Sequence, residues 1–329
     1  MDDVLWELIV KNFVLIGLGG YIAPRHLKAI KDTNNTLLAA VDPKDSVGVI
    51  DSYFPDADFF TDFQEFDKYI DSLHRKGVKI DFASVCSPNY LHYEHITWAL
   101  NKDMDVICEK PLVLKPEHFD YLENMEKKTN RKIYNILQLR FHPSIVELKK
   151  KVERELKENP NKIYDIDLTY LTSRGKWYFV SWKGDENKSG GIAAEIGIHF
   201  YDMLVWIFGD VVENIVHIKD RYVNAGFLKL KNANVKWFLS ISYDYIPDTI
   251  KAEGQRTYRS IKVDKKEIEF SNGFSDLHTL LYKDILNGNG FRLDESRKSM
   301  EIVSTIRRLK PIGLQGEYHP LCIQAIKQQ

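Results

Sequence analysis

Three cysteines occur in 329 residues, Cys86, Cys108 and Cys322, an odd number with no Cys-x-x-Cys pair among them. A disulfide framework needs even pairing and a structural zinc site needs closely spaced thiols. Both are therefore excluded, and the cysteines read as buried thiols of a reducing compartment. A surplus of one charge is also missing: 46 Lys and Arg stand against 47 Asp and Glu. Partners held through a phosphate backbone or an anionic bilayer need a basic excess, so neither nucleic acid nor a membrane is expected. No apolar run approaches the roughly 20 residues of a membrane helix. The start of the chain carries Asp2, Asp3 and Glu7 where a secretory signal carries positive charge. The expectation is a cytoplasmic protein with a small-molecule ligand.

What is present is a folding composition, 44% hydrophobic and 28% charged. The length exceeds one ordinary core of roughly 100–150 residues, which points to two domains. Residues 1–10 have no identifiable role. From 12 to 138, short apolar runs (13–16, 37–41, 82–86, 106–108, 133–137) alternate with helical stretches. The runs have the length and composition of strands buried on both faces. Helix signals are Pro24 ahead of 25–31, Asp62 with Glu65 at capping-box spacing, and the stretches 91–101 and 116–129. This alternation predicts a doubly wound parallel sheet. Beyond a helix at 144–158 the pattern changes to polar-apolar alternation at 163–171, 215–218, 226–230, 235–243 and 261–270, as in half-exposed antiparallel strands. Turns are expected at Asn232-Ala233-Asn234 and Asp264-Lys265-Lys266, and helices at 191–208, 275–286 and 294–308. The class is thus α/β: a Rossmann domain over residues 1–140, and an α+β domain with a largely antiparallel, open-faced sheet over 141–329, joined by a tight hinge near 138–143. Two exposed sheet faces can bury each other in an oligomer, unless helices cover both.

Directly after the first strand stands Gly17-Leu18-Gly19-Gly20-Tyr21-Ile22-Ala23-Pro24. The first glycine permits the tight turn, and the second lets backbone N–H groups reach a pyrophosphate at the helix N-terminus. Ile22 holds the third fingerprint position, so helix and strand approach less closely; a structural loop is the other reading. The second strand ends at Asp42, 42 − 17 = 25 residues after the first glycine. A carboxylate there accepts from the adenosine ribose and repels a 2′-phosphate, favouring NAD over NADP. Asp42 before Pro43 also suits a plain turn, and Lys44 softens the repulsion. Ser87-Pro88-Asn89 with His92, and Glu109-Lys110-Pro111, follow two further strands, and ligands of an open parallel sheet bind at the carboxyl ends of its strands. Downstream, Glu195, His199 and Asp202 are spaced i, i+4 and i+7, one face of a helix, where two carboxylates would orient one imidazole. A core histidine is the plain alternative. A metal centre is disfavoured because no second histidine stands at ligand spacing, so no metal is expected.

Taken together, these motifs resemble the Gfo/Idh/MocA family of nicotinamide-dependent sugar dehydrogenases over nearly the whole chain. The run from Gly20 to Ile30, the run 45–54, Gln138-Leu139-Arg140-x-His142-Pro143 and Thr172-Ser173-Arg174-Gly175 look like a branch that oxidises the 3-hydroxyl of UDP-N-acetylglucosaminuronic acid on the way to bacterial surface polysaccharide. The resemblance implies NAD as cofactor, with Gly17, Gly19, Gly20, Tyr21, Ile22, Asp42, Ser87, Pro88, Asn89, His92, Glu109 and Lys110 around it. It implies Lys110, often before a cis peptide, and His199 as catalytic residues, with Glu195 beside them where many relatives carry Asp. Oxidising a hydroxyl requires a base and a positive charge at that oxygen; His199 as base with Lys110 as electrostatic partner, or the reverse, meets this need. A uronate and a diphosphate demand cations and stacking surfaces, so Lys110, Gln138, Arg140, Arg174, Tyr178 and His199 are the substrate-binding candidates. Lys176, Tyr164, Tyr170, Trp177 and Trp182 stand near them. A tetramer, with a dimer as the alternative, and 2-oxoglutarate as hydride acceptor are further implications. A family dehydrogenase for another sugar, inositol or nucleotide sugar, and a silent NAD-sensing regulator, are the competing readings.

Overall fold

The computed structural model describes residues 10–45, 47–268 and 276–328. Nine of the ten N-terminal residues without an assigned role, Ser46 of the 45–54 run, the end of the strand expected over 261–270 and the first residue of the helix expected at 275 lie outside those residues. The chain forms two compact units that interleave along the sequence. One comprises Met1–Glu109, Asp120–Ile136 and His278–Leu293; the other comprises Lys110–Phe119, Leu137–Leu277 and Asp294–Gln329.

The first unit is built on β1 (Asn12–Ile16), α1 (Ala23–Asp32), β2 (Thr36–Val41), α2 (Val47–Asp51), β3 (Asp58–Phe60), α3 (Phe63–Arg75), β4 (Phe82–Val85), α4 (His92–Asn101), β5 (Asp105–Cys108), α5 (Glu117–Thr129) and β6 (Ile133–Asn135). Its six strands are all parallel, in the order β3-β2-β1-β4-β5-β6. The apolar runs lie at its centre because helices on both sides exclude water: Phe13, Val14 and Leu15 are fully buried, as are Val106 and Ile107. Asp62 caps α3 as expected, its Oδ1 accepting the Glu65 N–H at 3.0 Å, while the Glu65 carboxylate takes Lys68 Nζ at 2.8 Å. The short edge strand β3 has three residues, too few for a periodicity, and its Phe59 and Phe60 are half-buried.

The second unit contains α6 (Pro143–Glu158), β7 (Tyr164–Thr172), α7 (Trp177–Val180), α8 (Glu186–Ser189), α9 (Ile198–Phe208), β8 (Val211–Lys219), β9 (Val223–Leu230), β10 (Ala233–Ser240), α10 (Asp248–Ala252), β11 (Thr257–Val263) and β12 (Lys266–Ile268). Three helices follow: α11 (Leu277–Leu286), whose residues from His278 onward join the first unit, then α12 (Leu293–Arg308) and α13 (Leu321–Lys327). The sheet order is β12-β11-β7-β10-β9-β8, antiparallel except between β7 and β10. The hairpin expected at Asp264-Lys265-Lys266 turns on Asp264 and Lys265, both left-handed (φ +50° and +67°). At the sheet's centre Trp237 packs edge-on against Tyr201 of α9. Gly226 on β9 leaves room for that indole, since a Cβ there would lie 2.5 Å from it. On the other side, Phe238 clusters with Leu171, Ile218, Cys322 and Ala325, so α13 covers that part of the sheet. One helical stretch, Glu186–Phe208, is long and apolar enough to cross a bilayer, contrary to expectation; 78% of its apolar window is buried in the fold, as in a core helix.

Candidate active site

At the end of β1 the chain turns at once on Gly17, whose φ of +94° is a conformation L side chains avoid. A Cβ there would also fall 2.5 Å from the Ser87 nitrogen, so conformation and space both require glycine. The Gly17 N–H donates to Val41 O at 2.8 Å and the Gly20 N–H to Gly17 O at 3.2 Å, which delivers the chain to α1. Helix α1 begins at Ile22 without a side-chain cap and with no acidic residue in its first turn. Its positive end therefore carries no cap or acid of its own, which suits a pyrophosphate. Asp42 is nearly buried beside this turn, with Oδ2 accepting the Gly19 N–H at 2.8 Å and Oδ1 the Lys44 N–H at 2.9 Å. Tyr21 is exposed, and Ile22 is half-buried.

After β4, the Ser87 carbonyl accepts from His92 Nε2 at 2.8 Å and Ser87 Oγ lies 2.8 Å from His95 Nδ1. Burial, reinforced by His92, pushes the His95 imidazole down to about 4, so it stays neutral. Pro88 leads into a single 3₁₀ turn, Asn89–Leu91, in which Asn89 is buried. Eleven of the twelve expected cofactor residues thus gather at the carboxyl ends of β1, β2, β4 and β5 of one unit; Lys110 begins a segment of the other. A glycine turn that no Cβ can enter, an uncapped helix N-terminus and a carboxylate at the end of β2 fit a dinucleotide without a 2′-phosphate. Replacing Asp42 by alanine is expected to raise the preference for NADP over NAD by about tenfold, the size of one lost charge repulsion near a protein surface. Titrating both cofactors into the variant measures it.

Glu109, at the end of β5, is held by groups that sequence spacing did not single out. Its Oε1 accepts from His26 Nε2 and from His278 Nε2, each at 3.0 Å. His26 Nδ1 meets Tyr282 Oη at 2.7 Å, and that hydroxyl lies 2.8 Å from Ser84 Oγ. His26 and Tyr282 are 256 positions apart, beyond any local pattern. The one available signal was His26 itself, inside the motif run from Gly20 to Ile30.

In the second unit, Lys110 Nζ donates to Glu195 O at 2.9 Å, and Lys183 Nζ meets Glu195 Oε2 at 2.7 Å. The Lys110–Pro111 peptide bond is cis, as the resemblance implied. Glu195 lies in an i→i+5 turn, Ala193–Gly197, that leads into α9. Such a turn breaks the regular 100° step on which an i, i+4, i+7 alignment rests. The spacing argument set Glu195 and Asp202 on either side of His199; the structure gives each carboxylate a cation from another element. Glu195 takes Lys183, which sequence reasoning missed, and Asp202 takes Arg140. His199 is half-buried near the start of α9. Tyr178 is buried, and its phenol is pushed up by burial and by Glu195 while Arg174 pulls it down, so these three side chains share one electrostatic neighbourhood. Arg174 itself is exposed just beyond β7, and Gln138 is half-buried at the start of the 3₁₀ turn Gln138–Phe141.

Arg140, from that same turn, donates to Asp202 through Nε at 3.0 Å and Nη2 at 2.7 Å, and to Glu295 through Nη1 at 2.6 Å. Its side chain is 5% exposed and that of Asp202 2%. Burial works against the charge, but Asp202 and Glu295 hold the guanidinium above its usual range.

A parallel sheet with this glycine turn and acid is the NAD-binding fold of an oxidoreductase. The chain belongs to the Gfo/Idh/MocA oxidoreductase family: the model of the family's NAD-binding Rossmann fold matches residues 11–136 and that of its C-terminal alpha/beta domain matches residues 158–244. Two crystal structures of the WlbA (WbpB) dehydrogenase from Thermus thermophilus are similar to it over 95% of this chain and 100% of theirs, with a TM-score of 0.90. One, at 47% identity, holds NAD and alpha-ketoglutarate; the other, at 46%, holds NAD and UDP-GlcNAcA. Among curated proteins, the D-glucoside 3-dehydrogenase of Escherichia coli (strain K12) is 30% identical over 133 residues, 40% of this chain and 37% of that protein. The chain matches 37% to 57% of the length of three such relatives.

Proposed function

We propose that this NAD-dependent sugar dehydrogenase oxidises the C3 hydroxyl of UDP-N-acetylglucosaminuronic acid to the 3-keto sugar, a step toward bacterial surface polysaccharide. The observation that carries this reading is the near-half identity, along almost the whole chain, to a dehydrogenase crystallised with NAD and UDP-GlcNAcA. Residues 1–140 serve the cofactor, apart from Lys110 and Gln138, which turn to the substrate; residues 141–329 serve the substrate and assembly, as a cytoplasmic tetramer. Bound NAD supplies the hydride acceptor. His199 takes the hydroxyl proton, because a neutral imidazole accepts near physiological pH. The Lys110 ammonium stabilises the negative charge that grows on the same oxygen. Glu195 orients Lys110 through its carbonyl and is itself tethered by Lys183. Arg174 grips the uronate through its planar fork, with Tyr178 and Gln138 against the sugar. Arg140 acts on this site at one remove, by holding Asp202 of α9. A 2-oxo acid of the alpha-ketoglutarate type takes the hydride back, which closes the redox cycle.

The likeness to D-glucoside 3-dehydrogenase supports a second reading, oxidation of a free glycoside at the same carbon. One panel separates the two: NADH formation, and 2-hydroxyglutarate formation with 2-oxoglutarate added, from UDP-GlcNAcA, UDP-GlcNAc and free glucosides. Turnover is expected with the UDP-uronate and little with the others. Arg174→Ala is expected to lower kcat/KM for the uronate by about 30-fold or more while leaving that for UDP-GlcNAc near its parent value, as loss of a charge-assisted bidentate contact does. Equal losses on both substrates remove Arg174 from the carboxylate, and turnover of free glucosides alone replaces the first reading by the second.

A further inference from the structure

The cluster around Glu109 has no part in the chemistry described so far, although it is among the most completely buried polar groups in the first unit. Its side chains come from α1 (His26), β4 (Ser84), the end of β5 (Glu109) and α11 (His278 and Tyr282), and His26 and Ser84 are inaccessible to solvent. The hydrogen bonds can run in one direction throughout. Ser84 O–H donates to Tyr282 Oη, Tyr282 O–H donates to His26 Nδ1, and His26 Nε2–H donates to Glu109. His278 Nε2–H donates to the same carboxylate oxygen. In this arrangement one carboxylate oxygen takes a donor from each imidazole.

We propose that this cluster holds Glu109 as a buried carboxylate that biases the bound cofactor toward its oxidised form. The inference rests on the cofactor placement above and not on the identity of the sugar. Asp42 ends β2 and the glycine turn ends β1, so a dinucleotide with its adenosine at β2 runs onward past β1 to the ends of β4 and β5, where Glu109 stands. The pyridinium ring of NAD+ carries a positive charge that the ring of NADH lacks, while their phosphates are the same. A nearby anion therefore stabilises the oxidised form, and in a buried position neither water nor salt screens it fully.

The groups around Glu109 favour its ionised form. Burial pushes the Glu109 carboxyl up, but the donors on His26 and His278 outweigh it and hold it well below the usual range. Burial lowers His26 and outweighs the opposing pull of Glu109, so His26 does not neutralise Glu109 by becoming an ion. Burial raises the thiols of Cys86 and Cys108 and the phenol of Tyr282, which leaves them uncharged. Arg25, next to His26 on α1, is exposed.

The test compares dissociation constants of NAD+ and NADH by calorimetry on protein freed of cofactor, for the parent and for Glu109→Gln, His278→Leu and His278→Gln. Glutamine at 109 keeps the acceptor oxygen and loses the charge. Its ratio Kd(NAD+)/Kd(NADH) is expected to rise about tenfold, the effect of one charge roughly 10 Å away at an effective dielectric near 20. His278→Leu removes a donor and should raise the ratio in the same direction, while His278→Gln, which keeps an N–H, should stay within about twofold of the parent. If Glu109→Gln does not fold, the His278 pair decides by itself. Equal weakening of both cofactor forms, or an unmoved ratio in folded variants, overturns the proposal. So does a stoichiometric divalent ion in the purified protein, because His26, Glu109 and His278 also offer ligand atoms within 4.8 Å of one another. Gly17→Val is the control for placement: undiminished NAD binding in that variant removes the cofactor from this crevice and sinks both readings, whereas lost binding there with an unmoved ratio in Glu109→Gln sinks only the bias.

Discussion

Lys110→Met is expected to lower kcat/KM for sugar oxidation by about a hundred- to a thousandfold while NAD binds within a few-fold of the parent. The magnitude is that of removing one preorganised charge from a developing oxyanion. Methionine matches the length and flexibility of the lysine stem, so packing changes little and the loss reports the ammonium. In the free protein that ammonium is seated on Glu195 O at 2.9 Å, and Glu195 in turn holds Lys183. The lysine is thus positioned by two elements before any substrate arrives, which limits the reorganisation needed during reaction. Steady-state rates together with a cofactor titration decide the matter. Undiminished turnover with intact NAD binding would falsify the assignment of Lys110.

Arg140→Met is expected to cost about 3–5 kcal/mol of stability, because it leaves the Asp202 carboxylate buried without its bidentate partner. In a chain of this size that corresponds to a fall in Tm of roughly 10 °C. The double variant Arg140→Met/Asp202→Leu should recover much of the loss, since a well-packed apolar pair replaces a buried ion pair at little cost. Glu295, the third member, is 34% exposed and can turn to water. Denaturant unfolding of the parent and both variants tests this. A single variant within about 1 kcal/mol of the parent means that Arg140 is not a structural hub; a raised KM in a fully stable variant would instead place it on the substrate.

The contrast between Lys110 and Arg140 shows where sequence reasoning reached and where it stopped. Both were substrate-binding candidates for the same reason, a cation inside a recognisable motif where a uronate and a diphosphate demand positive charge. Nothing local distinguished the lysine that sits on a carbonyl from the arginine enclosed by two carboxylates. The i, i+4, i+7 spacing of Glu195, His199 and Asp202 likewise assumed a regular helix. The i→i+5 turn at Ala193–Gly197 is a product of packing, with Ala193, Ala194, Ile196 and Gly197 all buried, and no residue in the stretch announces it.

What the sequence by itself determined is everything that depends on one stretch of chain and its contact with water or its own backbone. That includes the parallel strands written as continuous apolar runs, the turn that only Gly17 can make, the Asp62 cap of α3 and the left-handed hairpin at Asp264 and Lys265. What only the tertiary structure decided is the choice of partner. Glu109 meets His26 across 83 positions and His278 across 169, and Arg140 meets Glu295 across 155. It also decided that segments 110–119 and 278–293 cross between the two units. The physical reason is that burial and backbone conformation are local free energies that a short pattern records. A buried charge, by contrast, is stabilised only by the particular dipole or ion packed against it, and that neighbour is set when distant elements share one core.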